Sequence, residues 1–213
     1  MAKYLIHACP DRMWYVQQYL IPSMQAQGLD DIRITCDYEK LGNLESFMRC
    51  FGSLKSDGGT WHLNDDIIIG RQFRVMTELF DDGIVCGFAC EPKTRSGFVK
   101  PEEMWWSFPC IRIPDRLARE CSDWFYTVGR YEHKKHADTG CEDDWFFKEF
   151  LKARYPDMEI LNLRPSIVDH VDYLIGGSSL FGWKVQHRAK FFDDQDLVEA
   201  LEHTLCGNQA TRP

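Results

Sequence analysis

The chain has no long apolar run. Its longest apolar stretches are short, strand-like pieces at residues 67–69 and 83–90, far below the ~20 residues that a membrane-spanning helix needs. No membrane span is therefore expected. The amino-terminal stretch, residues 1–10, lacks the apolar core of a secretion signal and reads as a first buried strand, which predicts a cytoplasmic protein. No CxxC pair occurs among the nine cysteines at 9, 36, 50, 86, 90, 110, 121, 141 and 206. Their odd number and scattered placement predict free thiols in a reducing compartment rather than a disulfide framework. His133, His136 and Cys141 have metal-like spacing, but without a CxxC partner a solvated loop is the default reading. An excess of basic residues is also missing: 25 Lys and Arg stand against 33 Asp and Glu, a net charge of −8. That balance disfavours nucleic acid as a partner, since such binding neutralises phosphates with Lys and Arg. The run from Arg112 to Lys135 is basic only in part, diluted by Asp115, Glu120, Asp123 and Glu132, and reads as a mixed solvent face. There is no internal repeat, no low-complexity linker and no GxxxxGK[ST] phosphate loop. With 213 residues, 44% of them hydrophobic, the chain can bury a substantial core as one domain, residues 1–213.

What is present is an alternation of strand-like and helix-like periods, the pattern of an α/β protein with a mainly parallel sheet. Residues 4–9 read as a strand. Asp11 is expected to cap a helix over 12–27, ended by Gly28. A strand at 31–37, a helix at 44–54 and the turn Asp57-Gly58-Gly59 follow, then a strand at 60–64. Further along, the pattern predicts a helix at 71–80, strands at 83–90 and 106–113, and a helix at 115–126 entered through Pro114. The last elements are a helix at 142–155 stopped by Pro156, a short strand at 159–163 and a helix at 194–205.

The strand at 60–64 runs directly into Asn64-Asp65-Asp66. Adjacent carboxylates repel each other unless a cation lies between them and a ligand, and hard divalent cations such as Mg²⁺ and Mn²⁺ favour such oxygen donors. Ligands of open α/β sheets bind beyond the carboxyl ends of the strands, where this pair lies; the bland alternative is a polar turn. A second acidic group, Glu142-Asp143-Asp144, opens a helix, where it would complement the helix dipole even without a catalytic role. A third piece runs from Pro165-Ser166-Ile167-Val168-Asp169-His170 to Gly176-Gly177-Ser178-Ser179. Its glycine-serine end is either a turn or a set of amides able to cradle phosphate.

In this order and spacing the three pieces resemble the nucleotide-sugar-dependent glycosyltransferases of the GT-A fold, and residues 165–179 resemble the tails of small bacterial and phage-encoded members. The resemblance implies a single-domain, Rossmann-like three-layer sandwich. It also implies a nucleotide-sugar donor, a hydroxyl-bearing acceptor and a Mn²⁺ or Mg²⁺ ion. Carried over to this chain, Asp66 and His170 would hold the metal, with His187 in reserve. Asn64, Asp65, Ser178 and Ser179 would bind the donor. Asp143 would be the base of an inverting reaction, and Asp144 its neighbour on the acceptor. Asn64 departs from the acidic first position of the family motif and reduces the charge of the site. Two alternatives remain beside the transferase: a binding or assembly protein that keeps the frame without catalysis, and a metal-dependent nucleotidyltransferase or phosphohydrolase, since paired carboxylates serve phosphoryl chemistry equally well.

Overall fold

A computed structural model describes residues 3–89, 96–104, 108–129, 142–176, 188–189 and 191–209. Strands β1 (Lys3–Ala8), β2 (Ile32–Cys36) and β3 (Gly59–Asn64) pair in parallel, with β1 between the other two. A second short sheet is formed by β4 (Ile67–Ile69) and β9 (Val168–His170). The main sheet continues through β5 (Ile84–Cys86), β6 (Gly97–Val99), β7 (Cys110–Pro114) and β8 (Ile160–Asn162) in the order β2-β1-β3-β7-β5-β8-β6. It is mixed where the sequence pattern predicts a mainly parallel sheet, with three parallel and three antiparallel pairings. β7 lies antiparallel to both β3 and β5, β5 and β8 are parallel, and β6 is antiparallel at the far edge.

Period-two alternation sends side chains from these strands to two separate cores. Tyr4, Ile6 and Ala8 of β1 join Trp61 and Leu63 of β3 on one face, packed with Val16, Leu20, Met24 and Phe73. Ile111 and Ile113 of β7 face the other side, against Phe47, Met48, Phe51, Phe146, Phe147 and Phe150. Helices therefore cover both faces, as a chain with apolar stripes of both periods requires. The helix Asn43–Ser53 shows why: Leu44, Phe47, Met48 and Phe51 fall at helical spacing and all are buried. Phe51→Ala would cost about 3–5 kcal/mol by opening a cavity there.

Three local expectations change. The first helix is not one regular element from residue 12. A 3-10 turn at Pro10–Arg12 and a short α turn at Met13–Tyr15 lead into a wider π turn at Val16–Leu20, then into α-helix Ile21–Ala26. Asp11 does not cap it: Pro10 begins the turn, and Asp11 lies within the 3-10 segment. Gly28 does close the helix, at φ +76°. The third change is that β5 stops at Cys86 instead of continuing to 90. At Gly87 a Cβ would stand 2.7 Å from Cys110 Sγ and 2.8 Å from Ile167 Cγ1, so this glycine lets the chain carrying Ile167 pass close by. Ile167 N–H donates to Gly87 O at 2.9 Å, and Gly70 N–H to Ile167 O at 2.9 Å, which fixes the approach of β9 to β4. Cys9, Cys36, Cys50, Cys86, Cys110 and Cys121 are free thiols. Among the described residues no helix is long and apolar enough to cross a membrane.

Candidate functional site

The acidic pair occupies the two-residue turn between β3 and β4, at the carboxyl end of the parallel group β2-β1-β3. Both carboxylates are buried, Asp65 at 2% and Asp66 at 4% exposure, so their charges must be met by protein groups or by a ligand. Four elements converge on them. The carboxyl end of β1 supplies Cys9, whose backbone N–H donates to Asp65 Oδ2 at 2.7 Å. The turn that follows supplies Arg12, with Nε 3.1 Å from Asp65 Oδ1 and Nη1 paired with Asp66 Oδ2. Tyr15 secures the same loop by donating its hydroxyl to Ile67 O at 2.9 Å. β9 supplies His170 through the register Ile67↔His170, which sets Nε2 2.9 Å from Asp66 Oδ1. Val171 N–H donates to Asp66 O at 2.8 Å and closes this ladder.

β9 is itself held from behind. Asp169, fully buried, accepts from Arg188 Nε at 2.6 Å, from Ala189 N–H at 2.5 Å and from its neighbour His170 N–H at 2.8 Å. Asp172 lies 3.4 Å from His170 Nδ1. The imidazole is thus flanked by two carboxylates.

The electrostatics follow from this geometry. Burial opposes the charge on His170, but Asp66 and Asp172 outweigh it and raise the imidazole to about 10. Burial would also keep Asp66 neutral; His170 and Arg12 overcome it and hold the carboxyl below its ordinary range. Asp65 moves the other way, pushed up by burial and by the adjacent Asp66. Arg12 loses by burial but is held above its usual value by the two carboxylates. One proton site of the pair therefore stays ionised while the other is poised to bind a proton, as two crowded carboxylates require.

Asp143 is buried near the start of the helix Glu142–Arg154. Burial raises its pKa, and the charge on Asp66 adds to the effect, which places the second acidic group within the electrostatic reach of the first. Asp144 is half-buried beside it, and its N–H donates to Asp143 Oδ1 at 3.1 Å. Asn64 ends β3, with its N–H donating to Pro109 O at 3.2 Å. Ser178 and Ser179, with His187, lie outside the described residues, as do His133, His136 and Cys141. Arg12 was missed by reading the sequence. Nothing marks it but its place four residues past β1, in a turn that pattern alone reads as a helix start. Asp172 was missed as well, and its only signal is its position two residues after His170.

Among the described residues no three His, Cys, Asp or Glu side chains stand ready to hold a metal ion. Two features nonetheless suit a divalent cation. The donors are hard carboxylate oxygens with an imidazole beside them, and Asp66 Oδ1 is buried without a well-angled hydrogen bond, its ion-pair contact with His170 apart. A groove of 920 Å³ runs along β2 and the helix Asn43–Ser53 from Cys36 and Asp37 to Ser56. It does not include Asp65, Asp66, Asp143 or His170. Compared with known proteins, the sequence matches no protein-family model and no curated protein, so the site has to be argued from its own side chains.

Proposed function

We propose that the chain is a GT-A-type glycosyltransferase that moves a sugar from a nucleotide-diphosphate donor to a hydroxyl acceptor. The observation that carries this reading is the meeting of Asp65, Asp66 and His170 at the carboxyl end of the parallel strands, with the buried Asp143 near enough to feel the charge on Asp66. Asp66 would hold a Mn²⁺ or Mg²⁺ ion with Asp65 beside it, and His170 would join them on giving up the proton that Asp66 and Asp172 now hold on its ring. A cation there supplies positive charge against the charge that grows on the departing diphosphate. Asn64, Ser178 and Ser179 are assigned to the donor. Asp143 takes the proton from the attacking hydroxyl as the new C–O bond forms and the anomeric carbon–phosphate oxygen bond breaks. Its raised pKa suits that work, because a base is most effective when its pKa approaches the working pH. Asp144 orients the acceptor. The free thiols at Cys9, Cys36 and Cys50 fit a reducing compartment, the cytoplasm.

Calorimetry with a panel of nucleotide sugars, in chelator and in Mn²⁺, tests the reading together with turnover assays. Asp66→Ala should remove the metal dependence of binding. Asp143→Asn should leave donor binding unchanged and lower turnover about 10²-fold or more, the scale of a lost general base. Equal donor affinity with and without metal in the wild type would refute the metal assignment, and full turnover in Asp143→Asn would refute the base.

A further inference from the structure

Every oxygen of the acidic pair already faces a partner from the chain. Asp65 Oδ2 accepts from Cys9 N–H, Asp65 Oδ1 faces Arg12 Nε, Asp66 Oδ2 pairs with Arg12 Nη1 and Asp66 Oδ1 faces His170 Nε2. Arg12 alone spans both carboxylates, and only 15% of its side chain is exposed. Among the described residues its guanidinium donates one further hydrogen bond, 3.2 Å from Nε to Cys9 Sγ, and thiols are weak acceptors. The guanidinium therefore holds its place almost wholly through the two aspartates. A divalent cation that used the same oxygens would need the space that the guanidinium fills.

We propose that Arg12 is a displaceable counter-ion: in the ligand-free chain its guanidinium occupies the cation position of Asp65 and Asp66, and a divalent cation must displace it to bind. This rests on the metal-dependent reading above. Without Arg12 the two aspartates would share only the charge of His170, which faces Asp66 and not Asp65; with it, the site is kept formed and weak for bare cations. A diphosphate entering with its cation gives the displaced guanidinium a new anionic partner, so Arg12 makes the site favour the cation–diphosphate pair over the free ion.

Mn²⁺ alone, titrated into the full chain and followed by the electron paramagnetic resonance signal of the free ion, tests this. Arg12→Gln should bind Mn²⁺ about ten-fold more tightly than wild type, the scale of a typical coupling between sites. Arg12→Lys keeps the charge and should stay close to wild type. Wild type and Arg12→Gln binding Mn²⁺ equally well would overturn the inference alone, and so would Arg12→Lys tightening as much as Arg12→Gln. Absence of Mn²⁺ binding in both wild type and Arg12→Gln would overturn the metal reading with it. A second measurement needs no variant that must fold without the charge. The Arg12 Nε–H resonance, assigned by its loss in Arg12→Lys, should be protected from exchange in the ligand-free wild type and lose that protection at saturating Mg²⁺. Protection that persists once Mg²⁺ is bound would refute displacement.

Discussion

Two buried histidine sites, one on the strand pair β1–β3 and one on β9 beyond its carboxyl end, reach opposite protonation states. On one face of the sheet, His7 of β1 and His62 of β3 meet through Nε2 and Nδ1 at 2.9 Å. His7 stacks on Phe47 at 3.7 Å, and His62 meets Phe51 edge-on at 4.8 Å. The outward nitrogens, His7 Nδ1 and His62 Nε2, have no hydrogen-bond partner among the described residues. Burial holds both rings neutral, His62 down to about 3 despite the charge on Asp115 and His7 well below its ordinary value. At the carboxyl end of the same strands, His170 is equally buried yet held charged by Asp66 and Asp172. Burial alone therefore does not decide the charge of a histidine. The polarity of the nearest side chains does: aromatic rings in one case, carboxylates in the other.

The largest test of this contrast is at neutral pH. His170→Leu leaves Asp66 buried without one of its two counter-charges and should cost about 3–5 kcal/mol, the penalty for stranding a buried ion. The double variant His7→Leu/His62→Leu removes both partners of a neutral pair together and should stay within about 1.5 kcal/mol. Urea unfolding at pH 7 reads both, and equal losses would break the comparison.

A smaller effect should divide the pH axis. His7 and His62 have folded pKa values below the unfolded value of about 6.5, so the unfolded state takes up protons first and stability falls as pH drops below about 6.5. His170 has its pKa raised, so its contribution is complete below about 6.5 and is lost as pH climbs through about 10. Each proton sets a slope of up to about 1.4 kcal/mol per pH unit. The double variant should flatten the acid limb of the stability profile and His170→Gln the alkaline limb. The reverse assignment would mean that the charge states have been exchanged.

The smallest effect belongs to an exposed ion pair. Arg49 Nη1 lies 2.7 Å from Glu39 Oε2 in solvent, where water screens both charges. Arg49→Ala should leave the thermal midpoint unchanged, and a loss matching that of His170→Leu would remove burial from the explanation.

Much of the frame can be read directly from the sequence, because β1, β3 and the helix Asn43–Ser53 carry clean apolar periods. The acidic pair is visible as two adjacent carboxylates at a strand end, a pattern that a polar turn shares; its burial against Arg12 and His170 is not. The two-histidine contact is not. His7 and His62 are fifty-five residues apart, and only the register Leu5↔His62 and His7↔Asn64 brings their rings together. Arg12 escapes for a related reason. Its role depends on a 3-10 turn that aims its side chain across the strand ends, and helical periodicity carries no sign of that. The strands β4 and β9 are three residues each, too short for period to reveal; what makes them strands is each other. The reversal of β7 between β3 and β5 is equally silent, since buried strands of either direction share one composition.

The β4–β9 ladder also fixes when the site can exist during synthesis. Asp66 and the three isoleucines of β4 leave the ribosome roughly a hundred residues before their partner strand, which at about 5–20 residues per second is a wait of several seconds. Through that interval Ile67-Ile68-Ile69 has an unpaired edge of the kind that draws foreign strands, beside two carboxylates still lacking the imidazole. Arg12 and Cys9, made earlier, are already there to meet the acidic pair. A nascent chain stalled before His170 thus holds half of the charge network beside an unpaired β4 edge.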